Sequence, residues 1–231
     1  MTNAEEFLKK YKILENSIKN KLNIENYESA LIKLKSITQF KHLKDDLDYL
    51  REIRNLLQHR PLMNNSYPIE PNIELVYKID YIISYIQKPP KTYDKCVKIA
   101  DVCCAKWSDL IFPYMKKMKQ YVYTHIPILN DGIVEGVFSE NTLFGALIED
   151  ELVYEKDNTT FSDDLIKKYS IIDSHVSESF KFVSKNTYLE DVKEMFNKSF
   201  GKNERLAMVF ITQNGNQKEK LLGILTPWDL I

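Results

Sequence analysis

One eight-residue pattern occurs twice in this chain, and few folds accommodate both copies. Gly136-Val137-Phe138-Ser139-Glu140-Asn141-Thr142-Leu143 and Gly223-Ile224-Leu225-Thr226-Pro227-Trp228-Asp229-Leu230 read alike. Each has a glycine, two apolar β-formers, a hydroxyl residue, two variable residues, a polar residue and a leucine. Glycine followed by β-branched or aromatic residues suits the end of a strand entering a close-packed region. The hydroxyl residue suits a helix N-cap, and Pro227 falls at the first helical position, where its missing N–H costs nothing. Asp229 falls at the third helical position, where a carboxylate faces free backbone N–H groups. Strand, cap and helix start together predict N–H donors that point at a bound anion such as a nucleotide phosphate.

Matching material precedes both copies, so the unit is a repeat. Strand-like runs begin at Val122 and Leu206, and each meets a turn dipeptide, Asp131-Gly132 or Asn214-Gly215. Such dipeptides between β-rich runs are the strongest short hairpin signal. Upstream of each strand an amphipathic helix is predicted. One has the stripe Trp107, Leu110, Ile111, Tyr114 and Met118, the other Leu189, Val192, Met195, Phe196 and Phe200. Ser179–Val183 alternates as a strand opening the second repeat, and Asn186-Thr187 is placed to cap the helix after it. Between the repeats, Ser162 is placed to cap a short helix through Leu165, Ile166 and Tyr169.

Helix, strand, hairpin, strand and cap, twice over, resembles the tandem CBS (cystathionine β-synthase) domain pair, or Bateman module. The resemblance covers about 95–231, with a first repeat near 95–150, a second near 175–231, and an insertion between them. It implies an adenosine ligand, AMP, ADP, ATP or S-adenosylmethionine, bound as a regulator. No other cofactor is implied, and a homodimer is. Carried over to matching positions, Thr226 and Asp229 hold phosphate and ribose. Ser139 and Thr142 stand at the same places in the first motif, although a threonine replaces its aspartate and lacks the bidentate acceptor. The adenine is implied to lie against Phe182 and Val183 and the Ile126-Pro127 stretch. Trp228 lies beside the cap and is expected to be a packing or dimer-contact residue rather than an adenine stack.

Residues 1–88 are predicted to be all-helical. Phe7, Tyr11, Leu14, Ile18 and Leu22 share one face of a first helix, with Asn3 and Glu6 at capping-box spacing. Tyr27–Ile37 and Leu43–His59 follow, the latter ending before Pro61. Asn72 is placed to cap a fourth helix carrying Leu75, Ile79, Ile82, Ile83 and Ile86. One apolar stripe per helix predicts an antiparallel bundle, and Lys88-Pro89-Pro90-Lys91 reads as a linker. The expected fold class is therefore α+β, a helical bundle followed by an α/β module.

The chain draws nearly all its positive charge from lysine, yet three of its four arginines, Arg51, Arg54 and Arg60, fall within ten residues. Such sparing use keeps arginine where a planar guanidinium recognises phosphate or carboxylate. Arg54-Asn55 followed by His59 resembles the Arg-x(4–6)-His signature of the HEPN superfamily, helical bundles that usually dimerise and include metal-independent endoribonucleases. By that resemblance His59 is the base, Arg54 stabilises the phosphorane and Asn55 positions the phosphate. Five residues on an ideal helix place Arg54 and His59 about 140° apart. They meet only if the helix ends between them or a second subunit completes the site.

A net charge of −1 supplies no basic platform for nucleic acid. The N-terminus has neither the cationic start nor the apolar core of a signal peptide, and no run is long enough to span a membrane. Cys96, Cys103 and Cys104 are odd in number and lack metal-ligand spacing, so a cytoplasmic protein with reduced thiols is expected. Three functions remain open. The first is nucleotide sensing that signals to the helical domain or a protein partner. The others are an endoribonuclease acting on RNA under CBS control, and a dimeric scaffold with neither ligand nor chemistry.

Overall fold

A computed structural model of the chain describes residues 2–59, 67–148, 155, 158–201 and 204–230, with the side chains of all but His59 and Leu147. It divides into two compact units, Met1–Pro90 with Tyr188–Asp191, and Lys91–Thr187 with Val192–Ile231. The fold class is α+β, helical first and mixed α/β after, as the periodicities predict.

In the first unit α1 (Asn3–Leu22), α2 (Tyr27–Ser36), α3 (Lys44–His59) and α4 (Ile73–Gln87) form the bundle, with a 3₁₀ turn at Thr38–Leu43. Their stripes meet in one core that includes Phe7, Leu14, Leu34, Leu50, Val76 and Ile82. Burying each such side chain contributes about 1.5–3 kcal/mol. The cap of α1 sits one residue earlier than the Asn3–Glu6 spacing predicts. The Thr2 hydroxyl accepts from the Glu5 N–H and the Glu5 carboxylate accepts from the Thr2 N–H. The Asn3 N–H instead donates to Glu70 at 2.6 Å. Asn72 caps α4 as expected, accepting from the Glu74 N–H at 3.1 Å. Asn72→Ala is expected to lower the urea stability of this unit by about 1 kcal/mol. An unchanged midpoint would show the cap to be redundant.

The second unit opens with α5 (Thr92–Lys95), β1 (Val97–Lys98) and a 3₁₀ turn at Ile99–Asp101. The first repeat follows as α6 (Ile111–Tyr121), β2 (His125–Asn130), β3 (Ile133–Ser139) and α7 (Glu140–Ile148). After α8 (Asp164–Ser170) comes the second, with β4 (Glu178–Ser184), α9 (Leu189–Ser199), β5 (Arg205–Thr212), β6 (Gly223–Leu225) and a 3₁₀ turn at Pro227–Leu230. Trp107 and Leu110 precede α6 and Phe200 follows α9, so the first predicted stripe overruns its helix by about a turn and the second by one residue. The helix at α9 begins at Leu189, two residues beyond the predicted Asn186-Thr187 cap; the Thr187 carbonyl instead accepts the Thr92 N–H at 2.8 Å.

β2 and β3 form a hairpin through Asp131 (φ 48°) and Gly132 (φ 83°). Positive φ at both positions is what a two-residue hairpin with the right twist requires. The Asn214-Gly215 dipeptide behaves differently. The Asn214 N–H and side-chain amide both donate to Glu219, at 2.7 and 2.6 Å, and the connection from β5 to β6 becomes a long loop. The remaining sheet has the order β1-β6-β5-β4, with β4 parallel to β5. The segment between the repeats is no excursion: Phe161 and Ile166 are fully buried in the core of the first repeat with Ile126, Ile128 and Phe138. The N-cap position of α8 is Asp163 rather than Ser162. A second core joins the repeats, with Val134, Val137, Phe180, Met208, Phe210 and Leu221.

Candidate functional site

Both eight-residue copies fold as strand end, cap and helix start, and the glycines have one shared cause. A Cβ at Gly223 would lie 2.5 Å from the Val97 carbonyl oxygen, and one at Gly136 would lie 2.7 Å from the Ser170 carbonyl oxygen. In each case a segment preceding a repeat crosses the strand: β1 pairs with β6, and Ile171 bridges Gly136. Only glycine lets a carbonyl pass this close.

Beyond the glycines the copies part. Ser139 and Thr142 are each 1% exposed. The Ser139 N–H donates to the Thr142 hydroxyl at 3.1 Å, and the Thr142 hydroxyl lies 3.5 Å from the Tyr169 carbonyl. The Ser139 and Thr142 hydroxyls are thus closed in a cap covered by the end of α8, while Phe138, Glu140 and Leu143 of the same motif line a separate cavity of about 310 Å³ with Met115, Met118 and Lys119. The second opens on a cavity of about 210 Å³, lined by Thr226 and Asp229 together with Val97, Val102, Ile224, Tyr123, His125, Asp101 and Cys103. Burial pushes the Cys103 thiol up, with Lys117 opposing, so it stays protonated near neutrality.

The cap chemistry at this cavity differs from the expectation of free N–H donors. The Thr226 N–H and hydroxyl both donate to Asp229 Oδ2 at 2.7 Å, and the Asp229 N–H donates to the Thr226 carbonyl at 3.1 Å. The carboxylate itself fills the place where a phosphate was predicted. Of the residues implied to hold adenine, Ile126 is fully buried, Pro127 is buried, Val183 is 6% exposed, and Phe182 packs with the core that joins the repeats. The apolar wall of the cavity comes instead from Val97, Val102 and Ile224. Trp228 is 80% exposed and stands outside the lining.

Composition and spacing did not point to the charge cluster behind His125. His125 Nε2 donates to Glu178 Oε2 at 3.1 Å, Arg205 donates to Glu178 Oε1 at 2.8 Å, and Glu178 is 3% exposed. Burial alone would raise the Glu178 carboxyl, but the bonds from His125 and Arg205 outweigh it and bring it down to about 2. His175, held down by burial with Glu178 opposing, donates from Nε2 to the Val137 carbonyl at 3.1 Å. The rings of His125 and His175 stand edge-on to Phe180, at 5.8 and 4.9 Å. The signal that could have found the cluster is that Glu178 and Arg205, Cα partners in the β4–β5 ladder, are opposite charges at the starts of two strands.

In the helical unit, Arg54 and Asn55 lie on α3. The Arg54 guanidinium donates to Asn55 Oδ1 at 3.0 Å, pairs with Glu15 at 3.3 Å and lies 5.9 Å from the Tyr11 ring centroid. Helix α3 runs unbroken to His59, so it does not end between Arg54 and His59; the His59 side chain and Arg60 lie outside the described residues. Arg51 pairs with Glu28 at 2.7 Å. Among the described residues no group of three His, Cys, Asp or Glu could hold a metal ion, and no helix is long and apolar enough to cross a membrane.

No family model and no curated protein matches the sequence. Similar solved structures include a hemolysin-like protein containing CBS domain of Oenococcus oeni PSU, 14% identical over 64% of this chain and 91% of that chain, with a TM-score of 0.42. CBSX2 in complex with AMP is 17% identical over 61% of this chain and 92% of that chain, with a TM-score of 0.41. A functionally unknown conserved protein domain from Neisseria meningitidis MC58 is 12% identical over 83% of this chain and 99% of that chain, with a TM-score of 0.47.

Proposed function

We propose that residues 95–231 are a CBS pair that binds one adenosine-containing ligand in the cavity at Thr226 and Asp229. Binding there is passed to the attached helical unit or to a protein partner, with the chain acting as a homodimer. The observation that carries this reading is the asymmetry of the two motifs: the Ser139 and Thr142 hydroxyls of one are sealed, whereas Thr226 and Asp229 of the other line a cavity and bring a carboxylate to it. A carboxylate can accept both hydroxyls of a ribose, and a lining of Tyr123, His125, Val97 and Ile224 suits a purine. Regulation follows if the ligand favours one arrangement of the repeats over another, since a ligand shifts an equilibrium only by its difference in affinity.

Thermal unfolding of the full chain with AMP, ADP, ATP or S-adenosylmethionine tests the proposal. At a hundred times Kd a bound ligand adds about 2.7 kcal/mol, roughly 5–10 °C in the midpoint for a domain of this size. The rise is expected for at least one of these ligands and is expected to vanish in Asp229→Ala. No shift with any of them at millimolar concentration sinks the reading.

A further inference from the structure

We infer that the cavity at Thr226 and Asp229 selects an adenosine derivative whose 5′ substituent is neutral or cationic, such as a thioether or a sulfonium, and discriminates against phosphate. The inference rests on the adenosine-binding reading above and narrows its ligand class.

Three observations converge. The first concerns donors. A phosphate needs several N–H or O–H groups converging on its oxygens. Here the Thr226 N–H and hydroxyl are both spent on Asp229 Oδ2, and the Asp229 N–H on the Thr226 carbonyl. Of the two residues between them Pro227 has no N–H to give, which leaves the Trp228 N–H as a single backbone donor where a phosphate needs several. His125 offers none either, because Nδ1 meets the Thr124 hydroxyl at 2.7 Å and Nε2 meets Glu178.

The second observation is charge. Asp101 and Asp229 both line the cavity and are exposed at its mouth, and no lysine or arginine is among its described lining residues. Lys98, on β1, turns its ammonium onto the Tyr93 ring, 3.4 Å from the centroid, and bonds to the Tyr93 carbonyl. A phosphate dianion entering here meets the charge of two carboxylates with no lysine or arginine in the described lining, whereas a sulfonium or ammonium is attracted by both.

The third is size. About 210 Å³ lies below the roughly 300 Å³ at which sites for drug-sized ligands begin. A nucleoside fills such a space, and a polyphosphate tail would run out past the carboxylates.

Calorimetric titration of the full chain with adenosine, 5′-methylthioadenosine, S-adenosylmethionine, AMP and ATP, at low and high salt, tests this. S-adenosylmethionine or methylthioadenosine is expected to bind at least about tenfold more tightly than AMP, a difference of 1.4 kcal/mol. ATP is expected to bind weakest. Raising the salt should narrow the gap from both sides, weakening the sulfonium and helping AMP, because exposed charges are screened. Asp101→Asn, at the exposed end of a 3₁₀ turn, should likewise narrow the gap and leave the midpoint of unfolding unchanged. AMP or ATP binding most tightly would overturn the charge selection and leave the nucleoside reading standing. A gap that ignores both salt and Asp101→Asn would also overturn it. Failure of all five ligands to bind the unaltered chain would overturn the nucleoside reading, and this inference with it.

Discussion

Gly223→Ala is expected to cost the α/β unit about 3 kcal/mol and to abolish ligand binding at the same time. The new Cβ would lie 2.5 Å from the Val97 carbonyl oxygen and 2.7 Å from Cys96 Sγ, distances at which something has to move. The near atom is backbone, so relief requires β1 to part from β6, and the Val97↔Ile224 and Lys98↔Gly223 pairings go with it. Forced overpacking of this kind typically costs about 1–3 kcal/mol, and a lost strand pairing puts this case at the upper end. Val97 and Ile224 face the cavity from those two strands, so the site loses one wall. Gly201→Ala is the converse case: its φ of 76° is unfavourable to alanine, as that of Gly223 is not, but among the described residues nothing lies within 4 Å. There only the backbone term of about 1 kcal/mol remains. Equal midpoints in urea for the two variants would refute the steric account.

Glu178→Gln is expected to remove about 2 kcal/mol near neutral pH and to flatten the acid limb of the stability profile. The Glu178 carboxyl titrates near 2, well below the usual 4.5. Since the folded form holds its proton less tightly, the stabilisation is fully present above pH 4.5 and is lost as the pH falls toward 2. The glutamine keeps the size of the side chain but loses the charge that faces His125 and Arg205, whose partners stand at 3.1 and 2.8 Å. Arg205 is 67% exposed and can rehydrate, which holds the loss below that of a wholly buried pair. Chemical denaturation between pH 2 and 7 reads the effect directly. A variant as acid-sensitive as the parent would place the titrating group elsewhere.

Much of the fold was legible because each stripe or turn obeys a local rule. Leu14, Ile18, Leu50 and Ile82 recur at helical spacing and all are fully buried. Asp131-Gly132 makes a hairpin because both residues accept positive φ. Asn214-Gly215 carries the same signal and fails, because Glu219 captures the asparagine first, and a partner five residues away is invisible to a dipeptide rule. The site was legible in part. Glycine and strand end were read correctly in both copies, since close backbone crossing demands glycine wherever it occurs, but only the Ser139 hydroxyl accepts a cap N–H, from Thr142 at 3.4 Å, while that of Thr226 donates to Asp229. What the pattern could not show is which cap is covered. The Thr142 hydroxyl is covered by the Tyr169 carbonyl and the Ser170 carbonyl crosses Gly136, both contributed by a segment read as an insertion. Asp229 turns back on its own cap, so the carboxylate expected to sit beside an anion occupies the anion's place. Arg54 was singled out for phosphate, and it is paired with Glu15, a carboxylate on another helix that no spacing rule connects to it.

The pairing of β1 with β6 bears on how the α/β unit is assembled. It joins residues about 125 positions apart, so the sheet of the second repeat cannot be completed from that repeat alone. Contacts this distant in sequence are slow to form, because the intervening chain must be brought together before they reward it. On the ribosome, β1 emerges early and waits unpaired until Gly223 and Ile224 follow. The two repeats are therefore not interchangeable beads: cut between them, the pieces would complement each other as a noncovalent pair, and neither would stand as a finished domain.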